Sequence, residues 1–134
     1  MKAQLYCDGA SRGNPGDAGI GCVILLENKK IEISEYIGKT TNNVAEYTAL
    51  IRGLEQALKQ NVKEIDIFSD SELLVRQING AYKVRNKNLI PLYNKVMELL
   101  NKFKKYRILH IYREKNELAD KLAKNASWKP EIWY

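Results

Sequence analysis

The sequence predicts an α/β fold in which one five-stranded mixed sheet is flanked by helices, and three observations support this class. Near the N-terminus, three consecutive strand-like segments are joined by short polar turns, which indicates an antiparallel meander. Further along, a strand runs directly into a helix after an earlier helix, which implies a parallel crossover. The 134 residues contain no repeat, linker-like stretch or low-complexity segment, so we expect a single domain.

The first three strands lie at the start of the chain. The first is an apolar run that ends in Asp8, and a loop rich in glycine, asparagine and proline follows at 9–16. The second strand is a mostly apolar run at 18–27, and the third alternates apolar and polar residues over 30–38. We therefore expect Asp8 to stand at a strand end that faces a loop.

The pattern changes to a helical period after the third strand. Apolar residues recur at steps of three and four from Val44 onward, over about four turns. We expect Asn42 or Asn43 to be the N-cap and Glu46 to lie in the first turn. Glu46 shares a helix face with small and apolar residues, so its carboxylate is directed towards the packed side, where an acid needs a reason.

The rest of the chain again alternates between strands and helices. After the first helix we expect, in order, a strand at 63–69 followed by Asp70, a helix that stops at Gly80, a helix at 89–103, a strand at 106–112 and a helix capped by Asn116. The complete order is βββαβααβα. This order places two acids, Asp8 and Asp70, directly after strands.

The charge balance favours a polyanionic partner. The formal net charge is +6 at pH 7 and the isoelectric point is near 9.3, which suits a nucleic acid, although an acidic membrane surface fits the charge as well. Against a membrane partner, no apolar run approaches the roughly 20 residues of a span, and the N-terminus lacks the apolar core of a signal peptide. We expect a cytoplasmic protein. Cys7 and Cys22 are expected as buried free thiols, although neighbouring strands could bring them within reach of a disulfide.

Four acids are the candidate catalytic and metal-binding residues: Asp8, Glu46, Asp70 and Asp120. Two follow strands and two begin helices, so rigid elements could bring them together at one edge of the sheet. Grouped carboxylates repel one another unless cations neutralise them, and oxygen ligands suit Mg²⁺ or Mn²⁺. Two such ions about 4 Å apart would clamp a phosphodiester and activate a water molecule. Asp8 is the best candidate to bridge both ions.

Most of these acids also have a structural explanation. Ser69 and Glu72 have the spacing of a capping box, so Asp70 could simply complement the start of a helix. Asp120 lies in the first turn of the last helix, where acids are common. Asp8 is the exception, because a glycine-rich turn and no helix follows it.

Four segments, in the correct order and covering nearly the whole chain, resemble the successive motifs of the type 1 ribonuclease H family. They are DGASRGNPG at 8–16, TNNVAE at 41–46, SDS at 69–71 and NELADKLA at 116–123. The resemblance implies a ribonuclease H-like fold and a divalent-metal-dependent endonuclease that hydrolyses the RNA strand of an RNA–DNA hybrid. It also implies that the four acids bind two ions, Mg²⁺ or Mn²⁺, per active site.

The resemblance further implies contacts with the hybrid from two of these motifs. The expected contact residues are Arg12, Asn14, Thr41, Asn42 and Asn43. Asparagine suits a 2′-hydroxyl, because its amide both donates and accepts hydrogen bonds. Thr41 is expected to touch a DNA phosphate. Asn42 and Asn43 could equally cap the helix that carries Glu46.

Three departures from the family pattern change the expectations. A short connection replaces the longer loop that carries a histidine in many members, and His110 lies inside a strand, where a packing or strand-face role explains it better. The basic protrusion of some members is also missing; the cations that either replace it or form a solvated charge run are Lys83, Arg85 and Lys87. Finally, Glu72 stands where relatives often have a glutamine, and a carboxylate there would repel phosphate.

We therefore expect residues 1–126 to form the catalytic domain and 127–134 an aromatic tail. Trp128, Trp133 and Tyr134 could stack on substrate or pack against their own domain. The expected partner is an RNA–DNA hybrid, and the expected state is a monomer. Two alternatives stay open: a nucleic-acid-binding module with this fold and no activity, and a related nuclease that acts on DNA or double-stranded RNA.

Overall fold

The computed structural model describes residues 1–129, in which five strands and four α-helices follow the predicted order. The strands are β1 (Lys2–Ser11), β2 (Gly16–Leu25), β3 (Lys30–Thr40), β4 (Glu64–Ser69) and β5 (Lys105–His110). The helices are α1 (Asn42–Lys59), α2 (Glu72–Ile78), α3 (Ile90–Leu100) and α4 (Glu117–Ala126), with a 3-10 turn at Arg113–Lys115 before the last. The predicted succession βββαβααβα is confirmed.

The strands form one mixed sheet in the order β3-β2-β1-β4-β5. The pairs β1–β2 and β2–β3 are antiparallel, as short connections allow, whereas β1–β4 and β4–β5 are parallel and are joined through helices. Both the meander and the parallel crossover are therefore confirmed. The central position of β1 places the Asp8 strand between the two halves of the sheet.

Helices cover both faces of this sheet. α1 packs on β1 and β2 and against α3, whereas α4 packs on β1, β2 and β3. Two glycines make these contacts close: a Cβ atom on Gly9 would lie 2.3 Å from the carbonyl carbon of Ala45 in α1, and one on Gly21 would lie 2.2 Å from the carbonyl oxygen of Ala119 in α4. Gly9 is opposite Ile20, the neighbour of Gly21, so the two glycines face opposite sides of the sheet.

The main core lies between the sheet and α1. Its largest fully buried side chains include Leu5 from β1, Tyr47, Leu50 and Leu54 from α1, and Ile67 from β4. This core fixes α1 against β1, the strand that carries Asp8. Within residues 1–129, no helix combines the length and the hydrophobicity that crossing a membrane requires.

Asp8 lies inside β1, so the expectation that it ends a strand is wrong for the antiparallel side. The pairing with β2 continues past it to Ser11, opposite Ala18. The parallel pairing with β4, in contrast, stops at Cys7, opposite Ser69. Asp8 is therefore the first residue of β1 beyond its pairing with β4.

Two expected helix caps are also wrong. Thr41, and neither asparagine, is the N-cap of α1, and its Oγ1 accepts a hydrogen bond from Val44 N at 3.2 Å. The helix consequently starts at Asn42, and Glu46 lies beyond its first turn. Likewise Ser71 caps α2 by accepting from Leu74 N at 3.2 Å, so the spacing of Ser69 and Glu72 is not a capping box.

The two cysteines lie opposite each other on β1 and β2. Cys7 and Cys22 are both buried and both free, which confirms the expectation of unpaired thiols. Cys22 Sγ lies 3.0 Å from the carbonyl oxygen of Ala49, and burial raises the pKa of its thiol to about 12. These thiols therefore act as small apolar core groups.

Candidate functional site

Three of the four predicted acids meet at one place. Asp8, Glu46 and Asp70 each present a carboxylate oxygen, and these oxygens all lie within 4.8 Å of one another. The three side chains come from β1, from α1 and from the residue that follows β4. We call Asp8, Glu46 and Asp70 the acid cluster.

The sheet itself places two members of the acid cluster side by side. Cys7 is opposite Ser69 in the parallel β1–β4 pair, so the next residue of each strand is an aspartate, Asp8 and Asp70. Side chains alternate along a strand, and corresponding positions of paired strands share a face. The two carboxyl groups therefore point to the same side of the sheet, just past the last pair.

Gly9 allows the third carboxylate to reach the other two. A side chain at Gly9 would collide with α1, because its Cβ would lie 2.3 Å from the Ala45 carbonyl carbon and 2.5 Å from Glu46 N. The bare backbone lets the second turn of α1 rest on β1, with Glu46 next to Asp8. Gly9 N also donates a hydrogen bond to Asp8 Oδ1 at 3.0 Å, which helps to orient that carboxyl.

Asp120 approaches the acid cluster from α4 but lies at its margin. It contacts Asp8, and its Oδ2 lies 3.1 Å from Lys124 Nζ. Partial burial alone would raise the pKa of Asp120, but the hydrogen bond with Asp8 and the Lys124 ammonium together hold that pKa below its usual value. Asp120 is thus the acid that stays charged most readily.

The acid cluster is electrostatically unfavourable by itself. Burial, followed by the charge of Asp70, raises the pKa of Asp8 to about 7. Burial and the neighbouring Asp8 raise the pKa of Glu46 well above its usual range, and burial also raises that of Asp70. Such shifts mean that the ionised carboxylates need a positive charge among them.

The carboxylate oxygens of the site are suitable ligands for a divalent cation. Glu46 Oε2 and Asp70 Oδ2 are buried, and neither accepts a hydrogen bond from any residue in 1–129. Buried oxygens without a donor are costly unless another group, such as a cation, binds them. A set made only of carboxylate oxygens suits Mg²⁺ or Mn²⁺ better than the softer metals that prefer sulfur or imidazole.

Asn116 belongs to this site, and sequence reasoning assigned it only a capping role. It is the N-cap residue of α4, yet its side chain makes no capping hydrogen bond. Instead Nδ2 donates to the carbonyl oxygen of Cys7 at 3.0 Å, and the amide lies beside Asp70, whose pKa it lowers against the effect of burial. Its Oδ1 is buried with no donor from residues 1–129. The start of α4 is thereby attached to β1 next to the acid cluster.

The predicted substrate asparagines form a connected group at the end of β1. Ser11 N donates to Asn42 Oδ1 at 3.0 Å, and Asn42 N donates to Asn14 Oδ1 at 3.1 Å. Ser11 follows Asp8 by three residues, which is roughly 10 Å along a strand. Asn43 is exposed beside this group, and Thr41 Oγ1 is engaged in the helix cap.

Arg12 lies in the same loop and contacts the end of the described chain. Its guanidinium carbon lies 2.8 Å from the ring centroid of Trp128, which is 62% exposed. This cation–π contact fits the expectation that the tail packs against its own domain. Trp133 and Tyr134 lie outside the described residues.

The remaining candidates are not members of the acid cluster. The connection between α2 and α3 contains Lys83, Arg85 and Lys87, and all three side chains are exposed. Glu72 pairs with Arg76 at 2.8 Å, so its charge is balanced. His110 is the last residue of β5 and is exposed, as a strand-face residue is expected to be, and its ring meets that of Tyr112 edge-on at 5.8 Å.

Comparison with known proteins gives one family model and several relatives named as ribonucleases H. A family model described as "Reverse transcriptase-like" matches residues 6–126. The chain is 40% identical over 129 residues to a bifunctional protein of Mycobacterium tuberculosis, covering 94% of this chain and 35% of that protein. It is 40% identical over 127 residues to ribonuclease HI of Halobacterium salinarum, covering 93% and 64%. It is 33% identical over 143 residues to ribonuclease H of Trichodesmium erythraeum, covering 96% and 90%. The chain thus spans about a third of the length of the first relative.

Solved structures agree with this grouping. The N-terminal RNase H domain of the Mycobacterium tuberculosis relative superposes with a TM-score of 0.92 at 38% identity, covering 95% of this chain and 99% of that one. The ribonuclease H1 LC11, solved in complex with an RNA/DNA hybrid, superposes with a TM-score of 0.85 at 44% identity, covering 92% and 95%. The five-stranded sheet with its helices is shared with both.

Proposed function

We propose, because this chain belongs to the ribonuclease H family, that it is an endonuclease that hydrolyses the RNA strand of RNA–DNA hybrids. The observation that carries the proposal is the convergence of Asp8, Glu46 and Asp70, whose carboxylate oxygens lie within 4.8 Å of one another. Residues 1–126 form the catalytic domain, since the family match ends at 126. The protein acts as a monomer, because one chain provides every carboxylate of the site.

Two Mg²⁺ or Mn²⁺ ions complete the site. When bound, they activate the attacking water and stabilise the leaving oxygen of the phosphodiester. Asp8 would be the carboxylate that both ions share, because it contacts Glu46, Asp70 and Asp120. Glu46 and Asp70 supply buried oxygens that accept no hydrogen bond from residues 1–129, and Asp120 supplies a carboxylate at the margin. Asn116 holds the start of α4 against β1.

The hybrid is the substrate that the neighbouring polar residues fit best. Near the end of β1, Asn42 N donates to Asn14 Oδ1 and Ser11 N donates to Asn42 Oδ1, and a side-chain amide can both donate to and accept from a 2′-hydroxyl. The related LC11 enzyme was solved with an RNA/DNA hybrid. Arg12, Thr41 and Asn43 extend the same surface, and the exposed cations at 83–87 add phosphate contacts. The protein acts in the cytoplasm, where its buried thiols stay reduced.

The substrate is tested with three duplexes of one sequence: the hybrid, the DNA duplex and the RNA duplex. Each strand is labelled in turn and incubated with and without Mg²⁺ or Mn²⁺. The expected result is metal-dependent cutting confined to the RNA strand of the hybrid. Binding of the hybrid without cutting would indicate an inactive module. Cutting of the DNA or RNA duplex instead would indicate a related nuclease of different specificity.

The role of the acid cluster is tested with Asp70→Asn in the same assay. This variant removes one charged ligand while keeping the shape of the side chain, so cleavage is expected to be lost while hybrid binding is retained. Glu64→Gln is the matched control, because Glu64 lies on the same strand outside the acid cluster. Normal cleavage by Asp70→Asn would reduce Asp70 to a residue that precedes a helix.

A further inference from the structure

Among residues 1–129, one face of the sheet is partly open beside the acid cluster. α4 packs on this face mainly against β2 and less against β1 and β3, while α1, α2 and α3 lie on the other side. The strand registers place three rows of side chains across β1, β4 and β5 on the open part: Tyr6, Phe68 and Leu109; Gln4, Asp66 and Arg107; Lys2, Glu64 and Lys105. These rows lead away from Asp8 and Asp70, which occupy the next position of the same face. We call these nine residues the open face.

The row nearest the acid cluster is aromatic and apolar. The rings of Tyr6 and Phe68 stack with their centroids 4.8 Å apart and an interplanar angle of 21°. Both rings are partly accessible, and Leu109, the third member of this row, is 38% exposed. Each ring precedes an acid of the cluster by two residues, which is about 7 Å along a strand. Each ring of such a pair has one face turned away from the other ring, and an unpaired base can extend the stack there.

The outer rows carry cations. Asp66 is buried, and it is held by Arg107, whose Nε and Nη2 lie 2.9 Å and 3.2 Å from its two oxygens, and by Lys2 at 3.4 Å. Arg107 has further N–H groups beyond these two, and its side chain is 58% exposed. Lys105 is exposed and makes no ion pair with any residue in 1–129. Glu64 is the one other acid on the open face, so cations outnumber acids there.

Two more lysines lie at the rim of the open face. The backbone of Lys104 donates to the carbonyl oxygen of Lys63 at 2.8 Å, which joins the starts of β4 and β5. Both side chains are exposed. A strand of phosphates that crosses the outer rows therefore meets Lys2, Lys105 and Arg107 and then this rim. Such charge complementarity favours a polyanion.

We propose that the open face binds single-stranded nucleic acid, with bases stacking on Tyr6 and Phe68 and phosphates contacting Lys105 and Arg107. A duplex is a poorer occupant, because its bases are stacked within the helix and offer no free ring face. The direction of the bound strand, from the acid cluster outward, rests on the proposed function. The binding itself does not, since none of these residues belongs to the acid cluster.

The test measures binding of labelled oligonucleotides of about 12 nucleotides, one of DNA and one of RNA, by fluorescence anisotropy in the presence of a chelator. Phe68→Leu keeps the apolar volume and removes the ring, so the affinity is expected to fall about 5-fold or more. Tyr106→Leu is the matched control, because Tyr106 is 37% exposed on β5 but its side chain lies on the opposite face of the sheet. Its affinity is expected to stay at the wild-type value. The two oligonucleotides show whether DNA or RNA is preferred.

A second variant keeps the test decisive should Phe68→Leu fold poorly. Lys105→Ala is expected to lower the slope of log affinity against log salt by about 0.7, the value for one phosphate contact with a single strand. Lys29→Ala, at the exposed turn between β2 and β3, is expected to leave that slope unchanged. No binding by the wild type, or equal losses in Phe68→Leu and Tyr106→Leu, would overturn the proposal. Because no divalent metal is present, failure to cut a hybrid would leave this result intact.

Discussion

At the scale of single residues, the positions of the acids depend on neighbouring residues that carry no charge. Gly9 has no side chain, and the absence lets α1 place Glu46 against Asp8. Gly9 N also donates to the carboxyl of Asp8 at 3.0 Å. Asn116 fastens α4 to β1 through the carbonyl oxygen of Cys7 at 3.0 Å. The geometry of the acid cluster therefore depends on residues that bind no metal.

Asn116 gives a prediction at this scale. Asn116→Ala removes the hydrogen bond to Cys7 and the amide beside Asp70, so the protein is expected to lose about 1–3 kcal/mol of unfolding free energy. Because the amide also contacts Asp70, the Mg²⁺ concentration for half-maximal cleavage is expected to rise, measured at a temperature at which the variant is folded. Asn125→Ala, at an exposed site on α4, is the control. Lower stability with an unchanged Mg²⁺ dependence would leave Asn116 a purely structural residue.

At the scale of elements, the site depends on how closely α1 lies on β1. The second turn of the helix crosses the strand where it carries Gly9, while the pairing of β1 with β4 has just ended at Cys7 and Ser69. The end of that ladder and the helix contact together leave room for carboxylates from three elements. The close approach of α1 to β1 is therefore needed to bring Glu46 next to Asp8.

The helix contact leads to a second prediction. Gly9→Ala places a Cβ 2.3 Å from the backbone of Ala45, and backbone on both sides must move. The expected cost is about 1–3 kcal/mol of unfolding free energy, with reduced cleavage at temperatures where the variant is folded. Gly38→Ala is the control for the loss of a glycine, because a Cβ there meets nothing within 4 Å, although its φ of +87° adds strain. Cleavage by Gly9→Ala at the wild-type rate would show that the helix distance is unimportant.

Periodicity in the sequence predicts the elements well because it reflects burial, which each short segment records on its own. The order of elements and the meander are confirmed on this basis. Side-chain hydrogen bonds, in contrast, can join residues that are far apart in the sequence. Asn116 stands at a helix start, where a cap is expected, but its partner Cys7 is 109 residues away in sequence. Thr41 and the asparagines after it are all good caps, and Thr41 is the one whose backbone is extended and whose side chain accepts from Val44 N.

The predictable parts of the site are those that a single segment of the sequence records. Asp8 was recognisable because it breaks an apolar run for no local reason. The convergence of three acids is a consequence of strand register, which a single segment does not encode. The open face was not predictable either, since Tyr6 and Phe68 are 62 residues apart and read separately as ordinary strand residues.

At the scale of the whole molecule, charge is distributed unevenly around the acid cluster. A protein with a formal charge of +6 holds three of its four candidate metal-binding acids at one place, with Asp120 at the margin. Cations lie along the connection at 83–87 and at the outer rows of the open face. Such a distribution favours a polyanionic partner on the surface outside the acid cluster.

The connection between α2 and α3 provides a prediction about charge. A variant with Lys83→Ala, Arg85→Ala and Lys87→Ala is expected to bind the hybrid more weakly, with the salt slope reduced by about 0.9 for each lost phosphate contact. Hybrid affinity is measured over a series of salt concentrations with a chelator present. The control variant removes three exposed lysines elsewhere: Lys29, Lys59 and Lys102. Equal slopes for the two variants would make the 83–87 connection a solvated charge run.

The central claim is that Asp8, Glu46 and Asp70 hold divalent cations, and direct Mn²⁺ binding tests it most simply. Calorimetric titration of the protein with Mn²⁺ is expected to show binding in the wild type and in Glu64→Gln, and loss of that binding in Asp8→Asn, because Asp8 is the carboxylate shared by the whole site. The opposite result, an Asp8→Asn variant that is folded and binds Mn²⁺ as the wild type does, would contradict the account.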